Sequence, residues 1–318
     1  MQWLCHDCIK VQYQISLVII EKKPQIEHVP RDVKTILQFT KFFYWNDWKF
    51  GFGQKPFITN KCPVNNCYIT NNRNMFGGVS QFDALIFHQF NQALDMSDLP
   101  DPRKRRPEQR YVFATMESPT GGGDYMDYQD PRLNRFFNWT MTYRLDSDIP
   151  WLYGWVLPKN ETVSTNVGGK KDKLVAWVVS HCVTPSRRED YVTQLQSFIS
   201  VDVFGRCGDL SCPKGPDCRE ALSHYKFYLA FENSVCKDYV TEKFYSSLSN
   251  GLVPVVMGGA DYSKIAPPGS YINVNDFQSP KQLAQYLLFL DTHDKEYLEY
   301  HKWRKDYIIE YMRVNYSI

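Results

Sequence analysis

The most chemically suggestive segment of the chain is residues 231–244, which read FENSVCKDYVTEKF. It follows an apolar stretch typical of a buried strand and leads into a predicted helix. Lys243 falls in the first turn of that helix, where unpaired backbone N–H groups and the helix dipole favour an anion. Glu242 beside it can accept hydrogen bonds from ribose or sugar hydroxyls. The pattern favours a phosphate-binding loop, although a Glu-Lys pair on an ordinary surface helix has the same local sequence.

Glycine-rich phosphate motifs do not occur elsewhere in the chain. There is no G-x-G-x-x-G sequence and no P-loop sequence, and the three glycines at 121–123 match neither motif. Any phosphate site therefore depends on Lys243 and on the helix that begins beside it.

The predicted elements place residues 231–244 where ligands usually bind. From residue 174 onward, strand and helix patterns alternate, which predicts a parallel sheet with helices on both faces. Ligands of such sheets bind at the carboxyl ends of the strands. Ser279 is the predicted N-cap of the last helix and Pro280 its first residue. The predicted strands are 174–180, 201–204, 225–231 and 252–257, and the predicted helices are 189–199, 241–250 and 279–290.

The first half of the chain is less regular. Residues 45–74 are rich in Asn, Gly, Pro and Cys and are predicted to be mainly loop. Residues 158–172 are polar and contain a glycine pair, which is typical of an interdomain linker. The predicted strands here are 35–44, 82–88 and 110–117. The predicted domains are an irregular N-terminal segment 1–34, a first domain 35–165 and a second domain 166–318.

Length and composition exclude several classes of protein. A chain of 318 residues suggests two domains. Its formal net charge of +2 argues against a nucleic-acid binder, which normally has a basic excess. No apolar run reaches the 18 residues that a membrane span needs, and residues 15–20 are predicted to form a buried strand rather than part of an anchor.

The cysteines and glycosylation sequons indicate an oxidising compartment. Nine cysteines are present, so at least one thiol lacks an intrachain partner. A zinc site would need C-x2-C pairs, and Cys5 with Cys8 is the single match, so disulfides are the preferred interpretation. N-x-S/T sequons predict glycosylation at Asn138, Asn160 and Asn315.

Residues 231–244, followed by GLVPVVMGG at 251–259, resemble the donor-site motif of the α1,3-fucosyltransferases. The resemblance runs from about residue 35 to residue 307, and the cysteine-rich segment 205–219 is most similar to invertebrate members. The other matching blocks are MESP at 116–119, FNWTMTYR at 137–144, DSD at 146–148, residues 174–180, VDVFGR at 201–206 and DFQSPK at 276–281.

The resemblance implies an α/β fold of the GT-B type, with two Rossmann-like domains facing across a cleft. The first domain would hold the acceptor sugar and the second GDP-fucose. The implied reaction inverts the anomeric centre of L-fucose and attaches it to O3 of N-acetylglucosamine in N-glycans of glycoproteins. Glu117, of the E-S-P block, would be the general base, which suits a carboxylate at the end of a predicted strand. A glutamate that braces a loop would have the same sequence pattern.

The family pattern also assigns donor-binding residues. Lys243 matches the phosphate-binding lysine, and Arg188 matches an arginine that follows the first strand of the donor domain. Fixed cations of this kind stabilise the charge that grows on a leaving diphosphate. The neighbouring Arg187 is expected to be solvated. Asn233, Tyr239 and Glu242 match positions that line the GDP-fucose pocket.

The DSD block spells the D-x-D motif by which GT-A enzymes bind a metal–nucleotide complex. Asp146 and Asp148 lie in the predicted first domain, and the family resemblance assigns them a structural role. We therefore expect no metal site and no required cofactor, although a divalent cation could stimulate the reaction without being essential. GDP-fucose and an N-glycan or glycoprotein acceptor are the expected partners, with no nucleic acid.

Two features depart from the family pattern. Family members usually carry a C-terminal C-x-x-C pair that bridges to two first-domain cysteines, which correspond to Cys62 and Cys67. They are also usually type II Golgi proteins with an N-terminal anchor. This sequence shows neither feature, so we expect incomplete ends or an atypical isoform, with Cys62 and Cys67 lacking their usual partners. By analogy the full-length form is expected in the Golgi membrane, facing the lumen.

Two alternatives to an active GT-B fucosyltransferase stay open at this point. One is a catalytically inactive homologue that binds glycans, which Glu117, Arg188 and Lys243 argue against. The other is a metal-dependent GT-A transferase. The acceptor, either the core N-acetylglucosamine or an antennal one, cannot be read from the residues.

Overall fold

The computed structural model describes residues 32–43, 45–88, 97–120, 130–159, 171–212 and 216–312. The chain divides into two compact units, Met1–Trp151 and Leu152–Ile318, here called the N-terminal unit and the C-terminal unit. This division lies upstream of the predicted boundary between residues 165 and 166. The predicted irregular segment 1–34 is described only from residue 32 onward, and its last residue, Lys34, already belongs to a strand.

The described part of the N-terminal unit is built around a parallel sheet of six strands in the order β2-β1-β3-β4-β5-β6. One short helix, α1 (Lys55–Thr59), begins with Pro56 in its first turn, a position where the missing N–H of proline is harmless. The strands are β1 (Lys34–Gln38), β2 (Cys67–Thr70), β3 (Ala84–His88), β4 (Arg110–Thr115), β5 (Trp139–Thr142) and β6 (Ile149–Pro150).

Aromatic side chains fill the core of the N-terminal unit. Phe87 packs against Phe39, Tyr111 and Phe136 with ring centroids 4.6–5.6 Å apart. Aromatic pairs at such distances add to the free energy gained by burying their apolar surface. This cluster covers one side of β3 and β4 and so fixes the strand that leads to Glu117.

The C-terminal unit contains a parallel sheet of five described strands in the order β12-β11-β10-β8-β9. All seven residues of β10 are buried, as expected for a central strand covered on both faces. The strands are β8 (Lys173–Val178), β9 (Val201–Phe204), β10 (Tyr225–Phe231), β11 (Val253–Met257) and β12 (Ile272–Asn273).

The helices of the C-terminal unit follow the predicted alternation. Ser279 caps the longest helix, since its hydroxyl accepts a hydrogen bond from the backbone N–H of Gln282, and Pro280 is the first helical residue. The helices are α2 (Arg188–Gln196), α3 (Pro216–Ser223), α4 (Glu242–Ser249), α5 (Pro280–Thr292) and α6 (Asp294–Glu299).

An antiparallel strand pair explains why the C-terminal unit begins before the predicted linker. Strand β7 (Gly154–Pro158) pairs with β13 (Tyr307–Tyr311) near the end of the described chain. The backbone hydrogen bonds between β7 and β13 make residues 154–158 part of the C-terminal unit. Residues 160–170, which make up most of the predicted linker, lie outside the described residues.

Disulfides are present in both units. Cys182–Cys207 and Cys212–Cys218 form in the C-terminal unit, and Cys236 is in no disulfide. Cys62 and Cys67 are both disulfide-bonded, so they are not free thiols although the sequence contains no C-terminal C-x-x-C pair. Cys5 and Cys8, like the predicted strand 15–20, lie outside the described residues. Among the helices that are described, none has the length and apolar character needed to cross a bilayer.

Candidate active site

The loops after three parallel strands interlock at the carboxyl edge of the C-terminal sheet. Glu232 directly follows β10, and its backbone N–H donates to the carbonyl of Met257, the last residue of β11. The carbonyl of Glu232 accepts a hydrogen bond from the hydroxyl of Ser186, which lies just before α2 (2.8 Å). These bonds fix the start of the 231–244 segment between its neighbours.

The side chain of Glu232 is fully buried and occupied at both carboxylate oxygens. Oε1 accepts the backbone N–H of Thr241 (2.8 Å), and the Thr241 hydroxyl lies 2.9–3.0 Å from the two oxygens. Oε2 also lies 3.2 Å from the ammonium of Lys243. Because a buried carboxylate is unfavourable unless it is paired and hydrogen-bonded, these contacts account for its position.

Lys243 lies in the first turn of α4, as predicted, with 19% of its side chain exposed. Its ammonium donates to the Thr241 hydroxyl (2.6 Å) and contacts Glu242 Oε1 at 3.4 Å. Burial lowers the pKa of Lys243, but the carboxylates of Glu232 and Glu242 more than offset this and raise it above its ordinary value. The lysine therefore carries its positive charge throughout the neutral range.

The N-terminus of α4 is not capped by the side chain of its N-cap residue. Thr241 is the N-cap residue, a position where a hydroxyl usually accepts an N–H of the first turn. Within the described residues the Thr241 side chain makes no such bond and is engaged with Glu232 and Lys243 instead. The first-turn N–H groups and the ammonium of Lys243 together form a site suited to a phosphate.

A glycine pair after β11 allows the donor loop to pack closely. A Cβ atom at Gly259 would lie 2.6 Å from the carbonyl oxygen of Cys236, and one at Gly258 would lie 2.8 Å from the hydroxyl of Tyr262. Neither distance is possible for a real Cβ, so a larger residue at Gly259 would displace the backbone of the donor loop at Cys236, and one at Gly258 would displace the side chain of Tyr262.

Arg188 is buried at the start of α2, with 3% of its surface exposed. Its guanidinium donates to the carbonyls of Phe231 (2.6 Å) and His181 (3.3 Å), which bridges the loops after β10 and β8. Its Nε has no hydrogen-bond partner among the described residues. Arg187 is exposed and pairs with Asp190, as expected for a solvated side chain.

The three remaining donor candidates differ in accessibility. Asn233 is half-buried, and its buried Oδ1 has no hydrogen-bond partner within the described part of the chain. Glu242 is also half-buried, at the first position of α4. Tyr239 is 2% exposed, with its ring edge-on to Tyr153, so in this structure its ring is part of the core of the C-terminal unit.

Glu117 lies in the N-terminal unit, two residues beyond the end of β4. It is half-buried, and its backbone N–H donates to the hydroxyl of Thr115 (3.2 Å). That bond turns the chain away from the sheet and ends the strand at Thr115, earlier than the predicted 117. The residue lies at the carboxyl edge of a central strand, which is the position proposed for it from the sequence.

The two aspartates of the DSD block are engaged with their own unit. Asp146 forms an ion pair with Arg144, and Asp148 accepts the N–H (2.8 Å) and the hydroxyl (2.9 Å) of Thr140. Among the described residues, no cluster of three or more His, Cys, Asp or Glu side chains could hold a metal ion.

The sequence comparisons assign this arrangement to a family. Residues 31–154 match the model for the N-terminal region of fucosyltransferases, and residues 169–317 match the model for the C-terminal region of glycosyltransferase family 10 (fucosyltransferase). The chain belongs to the family 10 fucosyltransferases. The family and the enzyme class predicted from the sequence are therefore confirmed.

Two relatives of this fucosyltransferase come from Drosophila melanogaster. The chain is 40% identical to alpha-(1,3)-fucosyltransferase C over 316 residues, which cover 90% of this chain and 72% of that protein. It is 37% identical to glycoprotein 3-alpha-L-fucosyltransferase A over 283 residues, which cover 86% of this chain and 53% of that protein. The chain thus spans about half the length of the second relative.

A crystal structure confirms the fold class of this fucosyltransferase. An α1,3-fucosyltransferase with GDP-fucose superposes with a TM-score of 0.53 at 18% identity, covering 94% of this chain and 88% of that one. The predicted α/β fold of the GT-B type is confirmed by this likeness and by the parallel sheet in each unit.

The sequence analysis of this fucosyltransferase missed Glu232 and Thr241 as site residues. Both lie inside the recognised segment, and an acidic residue immediately after a strand whose last five residues are apolar was the available signal. Of the predicted glycosylation sites, Asn138 is exposed, with its amide bonded to the backbones of Tyr111 and Gln109. Asn160 and Asn315 lie outside the described residues.

Proposed function

We propose that this chain is an inverting α1,3-fucosyltransferase that moves L-fucose from GDP-fucose to O3 of N-acetylglucosamine in glycoprotein N-glycans. The observation that carries the proposal is the charged Lys243 at the uncapped N-terminus of α4, in a chain of the fucosyltransferase family. A cation beside the positive end of a helix dipole suits the diphosphate of a sugar nucleotide.

On this proposal the C-terminal unit binds the donor and stabilises its leaving group. As the bond to fucose breaks, negative charge grows on the diphosphate, and Lys243 and Arg188 supply fixed positive charge nearby. Asn233 and Glu242 offer hydrogen-bonding groups for ribose or fucose hydroxyls. Tyr239 contributes through the packing of the loop, because its ring is buried.

Glu117 acts as the general base on this proposal. It removes the proton from the acceptor hydroxyl while that oxygen attacks the fucose anomeric carbon from the side opposite the departing GDP. The oxygen gains the new glycosidic bond, GDP leaves with the electron pair of the old bond, and the configuration inverts. Its half-buried position after β4 keeps the carboxylate within reach of a substrate.

The acceptor and the cellular setting are proposed from the relatives and from the cysteines. A glycoprotein acceptor is supported by the name of the second Drosophila relative, with core and antennal N-acetylglucosamine as the two choices. The Golgi lumen, with the full-length form as a type II membrane protein, is supported by the disulfides of the described residues and by the sequons. No nucleic-acid partner is proposed.

A transfer assay tests the proposed function. The chain is incubated with GDP-fucose and a panel of defined N-glycans, and the products are analysed by mass spectrometry and by NMR of the new anomeric proton. The expected product carries one fucose on O3 of N-acetylglucosamine, with configuration opposite to that in the donor. Binding of glycans with neither transfer nor GDP-fucose hydrolysis would instead support an inactive glycan-binding homologue.

The same assay tests the proposal that no cofactor is required. We expect transfer to persist in EDTA, because the charge on the leaving group is met by Lys243 and Arg188. An added divalent cation could raise the rate without being essential. Complete loss of transfer in EDTA, restored by Mn²⁺, would support a metal-dependent mechanism instead.

A further inference from the structure

We propose that Glu232 is a positioning residue of the donor site, whose buried carboxylate holds the Lys243 ammonium directly and through the Thr241 hydroxyl. This deepens the proposed function and rests on it as far as the identity of the ligand, a nucleoside diphosphate, is concerned. The contacts around the carboxylate rest on the structure alone.

The directions of the hydrogen bonds link Lys243 to Glu232 through Thr241. An ammonium can only donate, so the Thr241 oxygen must accept the 2.6 Å hydrogen bond from Lys243. The single hydrogen of the hydroxyl is then directed at the Glu232 carboxylate, 2.9–3.0 Å away. The result is a chain of hydrogen bonds in which Lys243 donates to the Thr241 hydroxyl and that hydroxyl donates to Glu232.

The same hydrogen bonds leave α4 without a side-chain cap. Because the Thr241 hydroxyl is used between Lys243 and Glu232, it does not cap α4 within the described residues. Glu232 therefore has two effects on one site: it fixes the cation, and it keeps the Thr241 hydroxyl from capping the helix N-terminus. The Thr241 backbone N–H, which also donates to Glu232, anchors the first turn.

The two carboxylates beside Lys243 differ in burial and in distance from the ammonium. Glu232 is fully buried and 3.2 Å from the ammonium, whereas the Glu242 side chain is 35% exposed and 3.4 Å away. An incoming diphosphate displaces the longer and more exposed contact, so Glu242 is released for a sugar hydroxyl. Glu232 stays in place and holds Lys243 during binding and departure of the nucleotide.

The test uses Glu232→Gln, which keeps the size of the side chain and removes its charge. We expect GDP affinity, measured by calorimetry near neutral pH, to fall by about 10- to 100-fold, the range for a lost hydrogen bond to a charged group. The GDP affinity of the variant should fall further as the pH rises to about 9. Without the Glu232 carboxylate, burial lowers the pKa of Lys243, so the lysine loses its positive charge as the pH rises. Wild-type affinity should stay constant over this range.

A second measurement does not depend on GDP. The rate at which acetic anhydride acetylates Lys243 is followed by peptide mass spectrometry at several pH values. Acetylation requires the neutral amine, so the rate should be higher in Glu232→Gln than in wild type at every alkaline pH. Asp202→Asn is the matched control, since Asp202 is a half-buried carboxylate of the same unit that bonds to Tyr225. It should leave both readouts unchanged.

Thr241→Val removes only the linking hydroxyl and is used if Glu232→Gln fails to fold. It should change GDP affinity and the rate of Lys243 acetylation in the same directions as Glu232→Gln, but by smaller factors. Unchanged Lys243 acetylation in both variants would overturn the positioning role, whatever the enzyme binds. Faster acetylation in Glu232→Gln than in wild type, combined with a wild-type chain that binds no GDP, would support the positioning role and contradict the proposed function.

Discussion

The carboxyl ends of β10 and β4 each carry a glutamate close behind a central parallel strand, but the two glutamates are held differently. Glu232 is fully buried and accepts hydrogen bonds from the backbone and side chain of Thr241 and from Lys243. Glu117 is half-buried in its own unit. A carboxylate that positions other groups benefits from exclusion of water, whereas a general base must reach its substrate.

This difference predicts two classes of mutational effect. Changes around Glu232 disturb buried charge and therefore lower both stability and donor binding. Changes at Glu117 remove a proton acceptor from a half-buried position and therefore lower turnover with little effect on folding. The following predictions test that separation, beginning with the largest expected effect.

Glu117→Gln should lower turnover by about 10²–10⁴-fold, because an amide cannot accept the acceptor's proton at neutral pH. The melting temperature should be close to that of wild type. Initial rates with GDP-fucose and an N-glycan, together with a thermal melt, measure both quantities. Glu108→Gln, at an exposed position of the same unit, is the control. Near-normal turnover in Glu117→Gln would remove this residue from the role of base.

Lys243→Ala should lower stability by about 3–5 kcal/mol, because it leaves the buried Glu232 carboxylate without its cation. Turnover should fall by about 10²–10³-fold, the usual effect of removing one group that stabilises charge in a transition state. Urea denaturation and initial rates measure the two effects. Lys264→Ala removes an exposed partner of Asp261 and should change neither. A Lys243→Ala variant as stable as wild type would show that the buried pair is not coupled to folding.

Reduction of Cys182–Cys207 should lower the stability of the C-terminal unit by about 2–4 kcal/mol, the usual range for a disulfide that closes a loop of this size. The bridge ties the segment after β8, which carries Arg188, to the segment after β9. Thermal melts of wild type and Cys182→Ser with Cys207→Ser, each with and without reductant, measure the effect. A double variant that melts with wild type under oxidising conditions would contradict it.

Acid pH should destabilise both units through one buried histidine in each. Burial lowers the pKa of His88 to about 3, and burial with the charges of Arg304 and Lys171 lowers that of His301 to about 3. The unfolded chain binds the extra protons below about pH 6.5, so stability is present above that pH and is lost as the pH falls.

The expected loss between pH 7 and pH 5 is about 2 kcal/mol for each histidine. His88→Phe suits the surrounding aromatic cluster. It should remove the part of the pH dependence of the free energy of unfolding that His88 contributes. Urea denaturation at each pH gives the free energies of unfolding. An unchanged slope in this variant would show that His88 already titrates normally in the folded state.

Local patterns predicted much of the C-terminal unit. Strand β10 and strand β9 have the predicted bounds, because each is mainly apolar and ends before a residue that apolar strands disfavour, Glu232 after β10 and Gly205 after β9. The cap of α5 by Ser279 also follows from local chemistry. Lys243 was placed correctly in the first turn of α4, since the helix start depends on neighbouring residues alone.

Features that depend on distant contacts were not predicted. Strand β2 lies inside a segment expected to be loop, because its pairing with β1 outweighs the nearby glycines and asparagines. The pairing of β7 with β13 joins residues about 150 positions apart, as in the register Val156 with Ile309. The burial of Glu232 and Arg188 depends on the packing of the loops that follow β8, β10 and β11. The sequence pattern of residues 231–244 alone does not predict that packing.

The most direct test of the division of labour between the two units is calorimetric titration of GDP into Glu117→Gln and Lys243→Ala side by side with wild type. We predict that Glu117→Gln binds GDP with wild-type affinity and that Lys243→Ala binds it at least about 10-fold more weakly. Equal GDP affinity in wild type and Lys243→Ala, or a large loss in Glu117→Gln alone, would contradict the account.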